Sequence, residues 1–255
     1  MVVDFLAGFV PVFAALILVV VSIIISRCLK LGIEGELFLG TFRSFAQLLL
    51  VGFILEYIFS VDNLVLFMGV IFVMALIGGK IVRDRAQAIP NAFWLGTVSI
   101  LCGAYFSIGL MIALDIISTD PKYIIPLGGM VVGNSMTACA LSLERFYQDL
   151  KGNRAKVELA LSFGATSNEA SGFYLRQAIK AGMIPMLNFL KIVGIVQLPG
   201  AMTGMILAGA SPIEAVKIQI IVVYMLIAGS SISTSLATVL SRRRLFNRNH
   251  QIVIE

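Results

Sequence analysis

Charge is scarce in this chain. Only 13% of its 255 residues are Asp, Glu, Lys or Arg, against 59% apolar residues. A soluble domain carries charge on roughly a quarter of its residues, so that class is excluded first. Histidine is nearly absent: His250 stands alone in a basic tail, and no His/Cys/carboxylate cluster has metal-ligand spacing. Cys28, Cys102 and Cys139 are scattered without a C-x-x-C pair and read as isolated reduced thiols. Nucleotide motifs are missing too. Gly78-Gly79-Lys80 is a fragment of G-x-x-x-x-G-K-[ST] and reads as a helix end with an anchoring cation. No nucleophile–base pair is visible, so neither catalytic residues nor a cofactor are expected. The opening MVVDF lacks a basic n-region and an A-x-A site, so the first apolar run is expected to be a retained helix.

Long apolar runs are what the chain does have. Runs near 8–26, 39–59, 64–79, 93–117, 123–143, 186–208 and 215–240 are each read as crossing a hydrocarbon layer of roughly 30 Å. The expectation is an all-α, polytopic membrane protein of about seven transmembrane helices, forming one transmembrane domain over residues 1–255. Pro11 sits in a first helical turn, 60–63 is too short for more than a tight turn, and Ser211-Pro212-x-Glu214 is an N-cap with an acidic first turn. Cations sort by side. Arg27, Lys30, Lys80, Arg83, Arg85, Arg145, Lys151, Arg154, Lys156, Arg176, Lys180, Arg242, Arg243, Arg244 and Arg248 fall on one side, Lys122 and Lys217 on the other. The basic side is expected to be cytoplasmic, with the N-terminus outside and the C-terminus inside a plasma (inner) membrane. The net charge of +5 is thus a matter of orientation, not of nucleic-acid binding.

Residues 144–185 are the longest polar stretch. Inside it Glu158, Ala160 and Gly164 are spaced as E-x-A-x-x-x-G and lead into Ala165 and Thr166. Glu158, Leu161 and Ser162 fall within one turn of a helix and offer a short face to a groove. The stretch reads as a cytoplasmic coupling loop through which an outside partner drives the flanking helices. The alternative is an amphipathic helix lying on lipid.

The runs beside that loop share a Pro, a glycine cluster and uncharged polar groups. One holds Pro126, Gly129, Met130, Gly133, Asn134 and Met136; the other Gln197, Pro199, Gly200 and Gly204. Tight helix packing explains the glycines alone, whereas the prolines free carbonyls that a polar pathway can satisfy. Arg43, Gln47 and Glu56 within the second run, and Asn188 and Lys191 in the sixth, are costly in lipid and suggest function. Either the cations snorkel to the headgroups, or they line a cationic loading vestibule that repels a bare metal cation and attracts an anion. A metal cation, if that is the cargo, would then enter as an anionic complex or meet neutral ligands such as Met130, Asn134 and Met136 deeper in, with Glu56 assisting release.

The E-x-A-x-x-x-G-A-T spacing resembles the first half of the "EAA" coupling motif of ABC importer permeases; Ile184-Pro185 follows too late for the second half. IPLGGMVVGNSM (125–136), LSFGAT (161–166), KIVGIVQLPGAMTG (191–204) and the terminal Arg-Asn-His250-Gln together resemble the FetB-type iron-export permeases, whose relatives include plant aluminium-tolerance permeases. The resemblance covers essentially the whole chain. It implies a permease subunit paired with a separate cytosolic ATP-binding subunit, and export of iron in bacterial members or of a nucleotide sugar in plant ones. Seven spans are few to enclose a pathway, so a second copy is expected beside the first. A self-sufficient carrier would show matched broken helices in both halves, and no counterpart pair lies near the N-terminus.

Overall fold

The computed structural model describes residues 10–59, 63–247 and 249–253, and these are helical nearly throughout. The described helices are α1 (Val10–Leu29), α2 (Glu34–Ile58), α3 (Leu64–Arg85), α4 (Ala92–Ala113), α5 (Pro121–Gly152), α6 (Arg154–Ser162), α7 (Ser167–Ile192), α8 (Gly200–Leu207) and α9 (Pro212–Leu245). Six of them, α1 to α5 and α9, are long and apolar enough to cross a membrane. The all-α, multi-pass expectation is met at that level. Residues 8–9 of the first expected span, most of the 60–63 turn, and Arg248 lie outside the described residues.

The chain divides into two compact units, 1–61 and 62–255. In the first, α1 and α2 pack as a hairpin. Lys30 and Gly32 take left-handed φ of 53° and 74° in the reversal, and Ser26 Oγ donates to Glu34 Oε1 at 2.7 Å across it. Most large apolar side chains of this unit point outward, Phe42 and Leu48 among them. That is the surface of a helix pair meant for lipid or protein.

In the second unit α9 packs against α4, α5, α7 and α8, while α5 packs against α3, α4, α6, α7 and α9. Lipid gives no apolar driving force between helices, so close backbone approach and hydroxyl bonds must hold them. Both are present. Gly103 of α4 lies so near Gly229 and Ser233 of α9 that a Cβ there would collide with both. A Cβ on Gly182 of α7 would lie 2.6 Å from Ala138 O and 2.8 Å from Ser142 Cβ. Buried Ser142 and Thr238 hydroxyls are 3.0 Å apart across α5 and α9, and Tyr105 Oη donates to Met68 O at 2.9 Å. Helix starts follow the capping rules. Asn63 Oδ1 accepts from Val65 N at 2.9 Å, and Asp120 Oδ1 accepts from Lys122 N at 2.9 Å, ahead of Pro121. Ser211 caps α9 as its sequence indicates, accepting from Glu214 N at 3.3 Å.

Three expectations about element boundaries change. Residues 186–208 are not one helix: α7 ends at Ile192, Gly194 turns with φ +82°, its N–H donates to Gln197 O at 3.0 Å, and α8 restarts after Pro199. The polar stretch 144–185 is helix rather than loop, because α5 runs on to Gly152 and α6 and α7 follow. Its polar residues are good helix formers, and helix extends well beyond the short face expected at Glu158, Leu161 and Ser162. Finally, α5 is continuous through Pro126, which lies near enough to the helix start that little of the ladder is lost. The expected G-x-x-x-G contacts also differ. Gly133, Gly200 and Gly204 have no atom within 4 Å of a would-be Cβ, whereas neighbouring Gly128 meets Ile71 at 2.8 Å.

Candidate functional site

Two places gather the residues singled out by sequence. The first is the corner between α6 and α7. α6 ends in a paired C-terminal closure: Ala165 N donates to Ala160 O at 3.1 Å and Gly164 N to Leu161 O at 3.0 Å. This is the Schellman pattern, and it needs a left-handed residue after the cap. Gly164, at φ +89°, supplies it. Thr166 then starts α7 with a capping box. Its Oγ1 accepts from Glu169 N at 3.3 Å, and the Glu169 carboxylate accepts from Thr166 N at 2.8 Å. The spacing of Ala160, Gly164, Ala165 and Thr166 is thus the chemistry of a helix stop joined directly to a helix start. The Thr166 N–H, and after it the Thr166 hydroxyl, hold the Glu169 carboxyl below its ordinary range.

The corner presents apolar groups to solvent. Phe163 is 84% exposed and Leu159 58%, while buried Val157 anchors α6. Glu158 accepts from Arg154 Nε at 2.7 Å, and Ser162 Oγ donates to Leu159 O at 2.7 Å. Glu158, Leu161 and Ser162 also line a cleft of about 510 Å³ whose far wall is the tail residues Asn249 to Ile252. The sequence reading missed Phe163, Leu159 and the capping box. T-x-x-E at Thr166 and Glu169 was the available signal for the last.

The second place is the open face of α5. Asn134, Thr137 and Glu144 are exposed at helical spacing, with Met130, Gly133 and Leu141 half-buried between them. Asn134 Nδ2 donates to Met130 O at 2.9 Å and Thr137 Oγ1 to Gly133 O at 3.1 Å. At the end nearer Glu144, Met136, Thr137 and Glu144 line a cleft of about 130 Å³ with Arg85 of α3. A further cleft of about 350 Å³ joins Arg85 and Glu144 to Gln87, Tyr147 and Gln148. Glu144, taken as the first loop residue, is instead part of the helix face, seven residues on from Thr137.

Other pathway candidates fall on other elements. Arg43, Gln47 and Glu56 are exposed on α2, in the first compact unit. Asn188 and Lys191 are exposed on α7, and Gln197 and Gly200 are exposed around the α7–α8 break. Pro199 lines a mainly apolar cleft of about 370 Å³ with Leu198, Met202 and Gln219. Gln219 is 94% buried, and its Oε1 has no partner among the described residues. A lone amide inside the apolar run 215–240 was its sequence signal. Among the described residues no group of three or more His, Cys, Asp or Glu could hold a metal ion.

Residues 9–246 match the family described as "Uncharacterised protein family (UPF0014)". Protein ALUMINUM SENSITIVE 3 of Arabidopsis thaliana is 35% identical over 248 residues, covering 97% of this chain and 91% of that protein. UPF0014 membrane protein STAR2 of Oryza sativa subsp. japonica is 35% identical over 249 residues, covering 98% and 87%. The probable iron export permease protein FetB of Escherichia coli K12 is 36% identical over 240 residues, covering 94% and 93%. No solved structure matches the chain.

Proposed function

Because the chain belongs to the family described as Uncharacterised protein family (UPF0014), we propose that it is the permease subunit of an ABC transporter, exporting iron with ATP hydrolysed by a separate cytosolic subunit. The α6–α7 corner carries this reading: a short helix, sharply closed, offers exposed Leu159 and Phe163 to a partner. Exposed aromatics on a rigid helix end are what a groove on another protein recognises. The cations Arg83, Arg85, Arg145, Arg154, Arg242, Arg243 and Arg244 belong to helix ends on the same side as this corner, which supports a cytoplasmic placement in the plasma (inner) membrane. On this reading the C-terminal part of α7, the break at 193–199 and α8 together make the sixth of seven crossings. The polar face of α5 cannot face hydrocarbon without cost, so it faces a second copy across the substrate pathway, with Met130, Asn134 and Met136 as neutral ligands for iron.

Exposed Lys191 and Arg43 favour a second reading, in which the cargo is an anion such as a nucleotide sugar.

The docking test uses Phe163→Asp and Leu159→Asp, since any residue at Gly164 would add backbone strain at φ +89°. With the chain in proteoliposomes beside its P-loop ATPase, each change is expected to cut stimulated ATP turnover about tenfold or more, as loss of an interface anchor does. Parent-level stimulation in both variants would remove α6 as the docking element.

A further inference from the structure

The tail after α9 is folded into a tight loop. Phe246 and Ile252 pair as an antiparallel bridge, Val253 N donates to Leu245 O at 2.8 Å and Asn247 N to Gln251 O at 2.9 Å. Asn247 Oδ1 accepts from Asn249 N at 3.0 Å and from Gln251 N at 2.8 Å. Phe246 and Ile252 are buried. At the tip His250 takes a left-handed φ of 59°, and this aims its ring at the start of α7. Ser167 N donates to His250 Nδ1 at 3.2 Å, and Ser167 Oγ lies 3.1 Å from the same atom. Nδ1 accepts from the Ser167 amide, and the contact joins residues 83 apart in sequence.

The geometry points to a strut. We propose that the tail residues 246–247 and 249–253, through His250, tie the α6–α7 corner to the end of α9, so that a load on the corner reaches two helices at once. The corner is covalently continuous with α7. Without the tail, α9 would feel the corner through side-chain packing with α5 and α7. With it, α9 is gripped by a hydrogen bond to the first residue of α7 and by Ile252 beside Leu161 in the α6 cleft. α7 ends at the break, and α9 carries Gln219 on the opposite wall of the cleft that Pro199 lines. A push at one corner would thus move both walls of that cleft. His250 is a positioning residue in this scheme and touches no substrate. The proposal rests on the permease reading above.

The test compares His250→Phe with His250→Asn. Phe keeps the ring and loses the acceptor. Asn places Oδ1 where Nδ1 stands and tolerates a left-handed φ, so it should restore the bond. Hydrogen exchange on the permease alone should show the Ser167 amide exchanging about fivefold faster in His250→Phe, the shift for one net hydrogen bond, and near the parent rate in His250→Asn. In proteoliposomes with the ATPase, His250→Phe should keep ATPase stimulation yet move less iron per ATP, and His250→Asn should recover the ratio. Unchanged Ser167 exchange in His250→Phe overturns the strut. Faster exchange with an unaltered iron-to-ATP ratio overturns its role in transmission. Failure of the permease reading looks different: the parent chain itself would give no ATPase stimulation.

Discussion

At the scale of single residues, Gly182 shows how little room the second unit leaves. Any side chain there must displace the Ala138 carbonyl and the Ser142 and Thr234 side chains. Gly182→Val is expected to destabilise the bundle by about 1–3 kcal/mol, the usual cost of overpacking, read as a lower melting temperature in detergent. Gly200→Leu gives the converse, since nothing lies within 4 Å of its would-be Cβ. It should leave the melting temperature of the detergent-solubilised chain unchanged and reduce transport, because the α8 surface it enlarges is read as facing a second copy or the substrate pathway. Full transport by Gly200→Leu would make that face a lipid-facing one. Glu169 gives a pH signature. Its carboxyl is held below its ordinary range by the Thr166 N–H, so the cap strengthens the start of α7 above the ordinary carboxylate pKa. That contribution is lost as pH falls through the lowered value. Amide exchange at 167–170, corrected for intrinsic rates, should therefore quicken below about pH 4 and should not do so in Glu169→Gln.

At the scale of elements, the α7–α8 break is where local chemistry overrode a hydrophobic count. The run 186–208 is apolar enough to read as one span, yet Gly194 and Pro199 end one helix and start another. Gly194→Ala forces a left-handed φ on a residue with a Cβ, at a cost of roughly 1–2 kcal/mol. It is expected to slow transport while leaving ATPase docking at the distant corner intact, measured as binding of the ATPase subunit to immobilised permease. The length of the apolar runs made α3, α4 and α9 legible in the sequence, and Ser211-Pro212-x-Glu214 made the Ser211 cap legible. The spacing of Glu158, Ala160 and Gly164 located the corner before its closure could be seen. Within 144–185 only the short helical face at Glu158, Leu161 and Ser162 was legible; the start of α7 was not, although a capping box lay in plain view at Thr166 and Glu169. The exposed face of α5 was half legible: Met130, Asn134 and Met136 stood out, but Glu144 did not, since a boundary was drawn one residue before it.

At the scale of the whole molecule, the lengths of α5 and α9 set the geometry. With 32 and 34 residues they are rods of about 48 and 51 Å at 1.5 Å per residue. A hydrocarbon layer of roughly 30 Å leaves each protruding by about 20 Å. If the protruding ends are cytoplasmic, a reporter fused after residue 253 should be active only in the cytoplasm; activity outside would invert the proposed topology. Rods of this length act as levers. A tilt of about 10° about one end of a 51 Å helix carries the other end roughly 9 Å, far more than any side-chain rearrangement at the corner itself. A small closing movement made in water, well clear of the headgroups, can therefore appear on the far side of the bilayer as a passage opened or shut.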